Sequence, residues 1–197
     1  MSEQKYTTSE ILENLSHVKA ITNSKTEYSK QTSVYFIIWG LIWIIAYTIL
    51  LLEFSSFTIG LYWSILGAAG WVITVITYLK QEKVNPMPLF LRAQFKYAWL
   101  AIIMFIVIFV FLIYSGLLLY RIDYLSFYSV LLVSIMYILL GIVLTKEIFM
   151  MGFWLSILGM ITFSLFPNFM NIIFAVIGGG SLLLTGFILK RKGQGNE

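Results

Sequence analysis

The side chains that most often perform acid–base, nucleophilic or metal chemistry are few in this sequence. It has nine acidic residues, one histidine and no cysteine. The histidine, His17, has no cysteine or second histidine with which to share a metal ion. All of the acidic residues fall outside the long apolar runs or at their ends: Glu3, Glu10, Glu13, Glu27, Glu53, Glu82, Asp123, Glu147 and Glu197. We therefore predict no catalytic residue, no metal site and no bound cofactor.

Two motif searches support this prediction. An intramembrane serine protease would be expected to show G-x-S-x-G, and a zinc protease H-E-x-x-H, and neither motif occurs. Carriers that couple transport to protons or ions usually keep a carboxylate or histidine inside the membrane. The middle of each apolar run has neither, so the sequence favours a protein that is not an enzyme and argues against an ion-coupled carrier.

Three consecutive glycines, Gly178–Gly180, interrupt the apolar stretch "IIFAVIGGGSLLLTGFILKRK" at 172–192. The phosphate-binding motif G-x-x-x-x-G-K-[ST] is absent, which excludes a phosphate loop in practice. Small residues in a membrane helix let a neighbouring backbone come close. Ala175 and Gly179 are four residues apart and share a helix face. We predict that this face packs against another helix; a hinge, or a ligand site at bare backbone, is the alternative.

A second strip of small residues lies near the start of another apolar run. Its members recur every four residues, which places them on one helix face. Together the two strips give the predicted helix-packing residues: Gly60, Ser64, Ala68, Ala175, Gly178 and Gly179.

Three aromatic residues, Trp39, Trp43 and Tyr47, are also spaced by four. Ordinary helix packing or lipid contact explains such a row, because a buried indole or phenol needs only one polar partner. An aromatic groove for a hydrophobic or amphipathic ligand is the alternative.

The composition indicates how these residues are positioned. The chain has 197 residues, of which 60% are hydrophobic and 11% charged, whereas soluble domains have about 25% charged residues. Spanning a bilayer takes roughly 20 apolar residues, and the backbone there must form helices. We predict an all-α, polytopic membrane protein, a bundle of six transmembrane helices over 32–192, with spans at about 34–52, 57–79, 98–120, 125–145, 149–166 and 169–189.

Basic residues indicate the orientation of the bundle. Of the 13 lysines and arginines, all but Arg121 fall on one side if the helices alternate in direction. Cytoplasmic loops carry this excess. We therefore expect the N-terminus, the C-terminus and the tail at 193–197 to be cytoplasmic.

The polar segment 1–31 predicts an amphipathic helix. Thr7 and Glu10 have the spacing of a capping box. Apolar residues then recur at helical intervals: Ile11, Leu15, Val18 and Ile21. The helix could lie on the membrane surface, or it could be a docking or oligomerisation helix.

The longest connection, "KQEKVNPMPLFLRAQFKY" at 80–97, contains Pro86 and Pro88. A short interfacial helix after Pro88 would place Arg92 and Lys96 on one face. We predict that these two residues contact lipid headgroups or a cytoplasmic partner.

An internal similarity joins the two halves of the chain. "YWSILG" at 62–67 resembles "FWLSILG" at 153–159, so helix 2 could correspond to helix 5. Three plus three helices would then form an inverted repeat, a plan used by many transporters. A chance match within apolar sequence is the alternative.

The stretches "YFIIWGLIW" at 35–43 and "GGGSLLLTGFILKRK" at 178–192 resemble an uncharacterised group of small bacterial six-span membrane proteins. The resemblance implies a multi-pass protein of the bacterial cytoplasmic membrane. It implies no activity and no site residues.

Two functions remain after these exclusions. The first is a non-enzymatic membrane protein with an accessory or regulatory role, acting through membrane lipids, a homo-oligomer or a protein partner. The second is a transporter or permease subunit for a hydrophobic or amphipathic substrate, working with a cytoplasmic ATPase. Neither function requires a nucleic acid or a metal ion.

Overall fold

A computed structural model describes residues 8–52, 55–84, 86–114 and 125–191, and within these ranges the chain is helical with no strand. Two short turns of 3₁₀ helix, Leu50–Leu52 and Pro167–Phe169, join longer elements. The longer elements are α1 (Thr8–Ile49), α2 (Ser56–Val84), α3 (Leu89–Tyr114), α4 (Leu125–Val143), α5 (Lys146–Leu165), α6 (Met170–Ile173), a π-helical segment (Phe174–Gly179) and α7 (Gly180–Arg191).

Six stretches of these helices are long and apolar enough to cross a membrane. They are Lys30–Leu52, Phe57–Val84, Leu89–Ile108, Ser126–Val143, Lys146–Leu165 and Pro167–Arg191. The predicted all-α architecture with six spans is therefore confirmed, and the chain is an integral membrane protein. We call Pro167–Arg191 the last span; it contains α6, the π-helical segment and α7.

The first helix differs from the prediction. The polar segment and the first span form a single helix of 42 residues, about 63 Å long at 1.5 Å per residue. No proline occurs in α1, and its first glycine is Gly40, so nothing in the polar part breaks the helix. The hydroxyls of Ser16, Thr22 and Ser24 bond to carbonyls of the preceding turn. The predicted boundary near residue 31 thus lies inside a continuous helix.

The third span also starts earlier than predicted. Pro88 immediately precedes α3, and its carbonyl accepts the N–H groups of Leu91 and Arg92 at 3.0 Å. Proline is well tolerated at such a helix start. The residues predicted to form a separate interfacial helix are therefore the first turns of α3. The end of this span at about 120, and the connection after it, lie outside the described residues.

The bundle has four central elements and two peripheral helices. The last span lies against α1, and α4 lies against α5, while α2 packs mainly on α1 and α3 mainly on α4. The core is formed by large apolar and aromatic side chains of the central elements, among them Phe36, Tyr47, Val130, Tyr137, Leu155, Phe174 and Leu182. Most of the surface of α2 and α3 is left exposed.

Glycines allow the central helices to approach closely. A side-chain carbon added at Gly186 would lie 3.0 Å from the carbonyl oxygen of Ser33 in α1. One added at Gly152 in α5 would lie 2.6 Å from the carbonyl oxygen of Ser134 in α4. These contacts leave no room for a larger residue, so backbone-to-backbone packing joins each central pair.

The neighbour relations of the two halves match in kind. Helix α1 contacts α2 and the last span, and α4 contacts α5 and α3, the pairs that a three-plus-three repeat would require. The main contacts are exchanged, however, because α1 packs mainly on the last span and α4 packs mainly on α5. The similar motifs also have different surroundings. A carbon added at Gly159 would meet Val130 at 3.3 Å, whereas one at Gly67 would meet nothing within 4 Å. The inverted repeat remains a prediction.

Candidate functional site

The three aromatic residues of α1 do not line an open groove. Trp43 is 7% exposed and Tyr47 is fully buried. Their ring centroids are 5.4 Å apart, and Phe174 of the π-helical segment lies 5.5 Å from Tyr47. The groove considered above is therefore filled by the chain's own rings. The reason is that Trp43 and Tyr47 face the last span, where Gly178 leaves space for the Trp43 ring.

Trp39 attaches the peripheral helix α2 to α1. Its indole Nε1 donates a hydrogen bond to Thr74 Oγ1 at 3.2 Å. The rings of Trp39 and Trp71 pack edge to face, with their centroids 5.8 Å apart. A side-chain carbon at Gly70 would meet the Trp39 ring at 3.2 Å. Trp39 therefore makes contacts within the chain.

A neutral polar cluster joins three elements at the end of the bundle away from the N-terminus. Tyr47 Oη lies 2.9 Å from Ser129 Oγ and donates to the Ser126 carbonyl at 3.3 Å. Ser126 Oγ donates to Asn171 Oδ1 at 2.9 Å. The ring of Trp63 lies beside this cluster, with its centroid 5.4 Å from that of Tyr47, and its indole nitrogen is buried with no hydrogen-bond partner among the described residues. Hydroxyl and amide groups of this kind hold helices together, and they offer no acid–base pair.

The two strips of small residues have different positions. Ala175, Gly178 and Gly179 are buried at the contact with α1. In contrast, Gly60, Ser64 and Ala68 are exposed, and an added carbon at Gly60 would meet nothing within 4 Å. A side chain at Gly60 would thus meet no other helix among the described residues, and Ser64 and Ala68 are not buried against one. Any packing role for the α2 strip would therefore involve another molecule, and it stays a prediction.

Most basic residues lie at the end of the bundle where α1 enters, which we call the basic end. Glutamines join α1 and α2 there. Tyr35 Oη donates to Gln81 Oε1 at 2.6 Å, and Gln81 Nε2 donates to the Gln31 carbonyl at 3.0 Å. The side-chain oxygen of Gln31 is buried and accepts no hydrogen bond from the described residues.

Glu82 closes the proline turn between α2 and α3. One of its oxygens accepts from Arg92 at 2.8 Å, and the other accepts from the backbone N–H of Met87 at 3.2 Å. Arg92, predicted to contact lipid or a partner, thus forms an ion pair within the chain, because the turn places it opposite Glu82. Lys96, the other predicted contact residue, is exposed.

Tyr28 fixes the start of α3 against α1. Its ring meets that of Phe95 edge-on, with centroids 6.0 Å apart. Burial, and next the neighbouring Tyr35, raise the pKa of the Tyr28 hydroxyl well above its ordinary value. The group therefore remains a neutral hydroxyl near neutral pH.

Helix α1 begins about 22 residues, or about 33 Å, before the start of the first span. We call this part, residues 8–29, the α1 extension. Four of its apolar side chains are exposed, with exposed fractions of 46–62%, and we call them the apolar stripe: Leu12, Leu15, Val18 and Ile21. The side chain of Ile11, predicted to belong to this row, and those of the predicted capping-box residues Thr7 and Glu10 lie outside the described part of the chain. This surface is unusual because its apolar side chains are exposed outside the apolar span.

The basic end supplies a charged surface beside the extension. The residues involved are at the end of α2, the start of α3, the start of α5 and the end of α7. All are exposed: Lys80, Lys83, Lys96, Lys146, Lys190 and Arg191. In the described part of the chain, no three His, Asp or Glu side chains come together to hold a metal ion.

Several structural residues were missed from the sequence. Gly40 and Gly186 form close helix contacts but lie outside the four-residue strips. The seven-residue spacing of Gly179 and Gly186, about two helix turns, was an available signal. Gln81 carried no motif, and its position opposite α1 could not be read from spacing.

No protein-family model, no curated protein and no solved structure matches this chain.

Proposed function

We propose that this protein is a non-enzymatic, multi-pass protein of the bacterial cytoplasmic membrane with an accessory or regulatory role, and that it binds a cytoplasmic protein through the α1 extension. The observation that carries the proposal is the exposed apolar stripe on a helix that continues past the end of its span.

The stripe is costly unless something covers it. Full burial of a leucine or valine side chain is worth about 1.5–3 kcal/mol relative to exposure. Leu15 and Val18 are 59% and 61% exposed. Lipid covers exposed apolar side chains within the spans, but the extension begins where the span ends. A partner in the aqueous phase is therefore the natural cover.

The basic residues support a cytoplasmic location for the extension, since twelve of the thirteen lie on its side of the membrane if the spans alternate. A helix already formed inside the bundle also helps binding. Helix nucleation is the unfavourable step, and here the membrane-embedded half of α1 supplies it. The extension is thus presented as a preformed helix.

In-cell photo-crosslinking tests the proposal. A photoreactive phenylalanine analogue at Val18 should give a discrete cross-linked species with a cytoplasmic protein after illumination of intact cells. The same analogue at Ser16, which is also exposed but lies outside the stripe, is the matched control. Equal yields at both positions, or no species at Val18, would contradict the proposal.

A permease subunit is the second candidate. The π-helical segment in the last span favours it, because π-segments are frequent at functional sites and transporters often interrupt helices near the membrane centre. Copurification of a cytoplasmic ATPase with the tagged protein would support this function over the first.

A further inference from the structure

We propose that the α1 extension and the basic end together bind an acidic amphipathic helix of a cytoplasmic partner protein. The inference rests on the proposed function and adds the chemistry of the partner. It depends on the direction in which the apolar stripe faces and on how charge is distributed around the extension.

The two middle residues of the stripe, Leu15 and Val18, face the side of α1 that the bundle covers. Eighteen residues make five full turns of an α-helix, so residues eighteen apart lie on the same side. Leu15 is thus aligned with Ser33, whose carbonyl lies at Gly186 of the last span. Val18 is aligned with Phe36, which stacks on Tyr137 of α4 with centroids 4.9 Å apart.

The opposite side of the extension continues the outer face of the first span. Ser16 is aligned with Val34, which is 39% exposed, and Glu27 with Ile45, which is 48% exposed. Leu15 and Val18 therefore face the space beside the basic end, and Ser16 and Glu27 face away from the bundle. A partner bound to the stripe would lie against the basic end.

Charge is distributed unevenly around the extension. Lys19 follows Leu15 by four residues and is aligned with Ile37, which lies at Gly186, so it belongs to the inner side. Glu27 belongs to the outer side, whereas Glu13, which pairs with His17 at 4.0 Å, is aligned with Gln31 and lies on the side toward α2. An apolar stripe with lysine at its edge, beside exposed lysines of the basic end, is complementary to leucines flanked by carboxylates.

Two other occupants fit the observations less well. The bilayer surface would attract an apolar and basic face, but α1 contains no proline, and no glycine before Gly40, at which to bend through a right angle. A second copy would have to present its own stripe, which faces its own bundle. The intervening bundles would keep two such stripes apart.

The test uses the absence of cysteine in the chain. Val18→Cys and Ser16→Cys are each labelled with a bimane fluorophore, with the full chain in nanodiscs of phosphatidylethanolamine and phosphatidylglycerol. The probe is a synthetic helix with leucine at i, i+3, i+4 and i+7 and glutamate on its other faces. The control peptide has lysine in place of every glutamate.

We expect the glutamate peptide to shift the emission of the label at position 18 saturably, with little change at position 16. Binding should weaken by about tenfold between about 50 and about 500 mM NaCl, because salt screens the charges. Lys19→Glu should also weaken the binding of the glutamate peptide, whereas Lys19→Arg, which keeps the positive charge, should retain it.

Equal binding of the lysine peptide, or binding of neither peptide, would overturn the inference. So would quenching of the label at position 18 by nitroxide lipids, which would place the stripe on the bilayer. Disulfide-linked dimers of Val18→Cys would assign the stripe to a second copy. A cross-linked cytoplasmic protein at Val18 in cells, together with failure of the glutamate peptide, would leave the proposed function standing and reject only the acidic helix.

Discussion

Gly179 lies so close to Gly40 that a side-chain carbon added at Gly179 would be 3.1 Å from the Gly40 carbonyl oxygen. The same carbon would be 2.6 Å from the Ile44 side chain. Gly180, the next residue along the chain, has open space at the corresponding position. These two adjacent glycines thus have different surroundings, because Gly179 faces α1 and Gly180 does not.

This difference gives a matched pair of substitutions. We expect Gly179→Ala to lower the free energy of unfolding by about 1–3 kcal/mol, the usual cost of overpacking, because the backbone of α1 cannot move away easily. Gly180→Ala should be neutral or slightly stabilising, since alanine is the better helix former. Thermal unfolding of both variants in the same detergent is the measurement. Equal melting temperatures for the two variants would refute the close contact.

The polar cluster around Tyr47 gives a second prediction. Hydrogen bonds between membrane helices contribute about 0.6 kcal/mol on average and up to about 1.7 kcal/mol. We expect a double-mutant cycle of Tyr47→Phe and Ser129→Ala to show a coupling energy in this range, because their oxygens are 2.9 Å apart. Tyr97→Phe, at a tyrosine that is 71% exposed, is the control. Additive effects of the two substitutions would show that the bond contributes nothing.

The sequence allowed the spans to be predicted because the bilayer imposes one strong requirement, namely about 20 apolar residues in a helix. It did not show that α1 is continuous. The change from polar to apolar residues near Lys30 resembles the boundary between two helices. A helix continues through such a change, however, when no residue there interrupts its backbone hydrogen bonds. Hydropathy reports the environment of a segment, and proline and glycine report where a helix can end.

The strips of small residues illustrate a second limit. Gly60 and Gly179 both lie in rows of small residues spaced by three or four, but only Gly179 contacts another helix in the described chain. Spacing identifies a helix face and says nothing about which helix covers it. For the same reason, the row of Trp39, Trp43 and Tyr47 could be assigned to a face but not to a filled core.

The turn between α2 and α3 gives a third prediction. Glu82→Gln should lower the free energy of unfolding by less than about 1 kcal/mol, because the Arg92 partner is 57% exposed and solvent screens the pair. Glu82→Ala should cost more, since Met87 N–H then also loses its acceptor. Denaturant unfolding at low and high salt separates the two contributions. A larger effect for Glu82→Gln than for Glu82→Ala would contradict this assignment.

The orientation gives a fourth prediction. We expect a single cysteine at Ser16, on the outer side of the α1 extension, to be unreactive toward a membrane-impermeant maleimide in intact cells and reactive after lysis. The chain has no cysteine of its own, so the signal belongs to that position alone. Labelling of this position in intact cells would show that the α1 extension lies outside the cell, and a cytoplasmic partner would then have no basis.

The exposed strip of α2 gives the last prediction. We expect Gly60→Leu to leave the melting temperature of the detergent-solubilised protein unchanged, because a side chain at Gly60 enters open space. Gly152→Leu, in the contact between α5 and α4, should prevent folding or lower the melting temperature strongly, since backbone atoms lie 2.6 Å from its added carbon. Sedimentation of Gly60→Leu over a range of protein-to-detergent ratios then separates folding from association. Destabilisation of the Gly60→Leu monomer itself would mean that α2 packs inside the bundle, whereas weaker association of an equally stable monomer would assign the strip to contact with another copy.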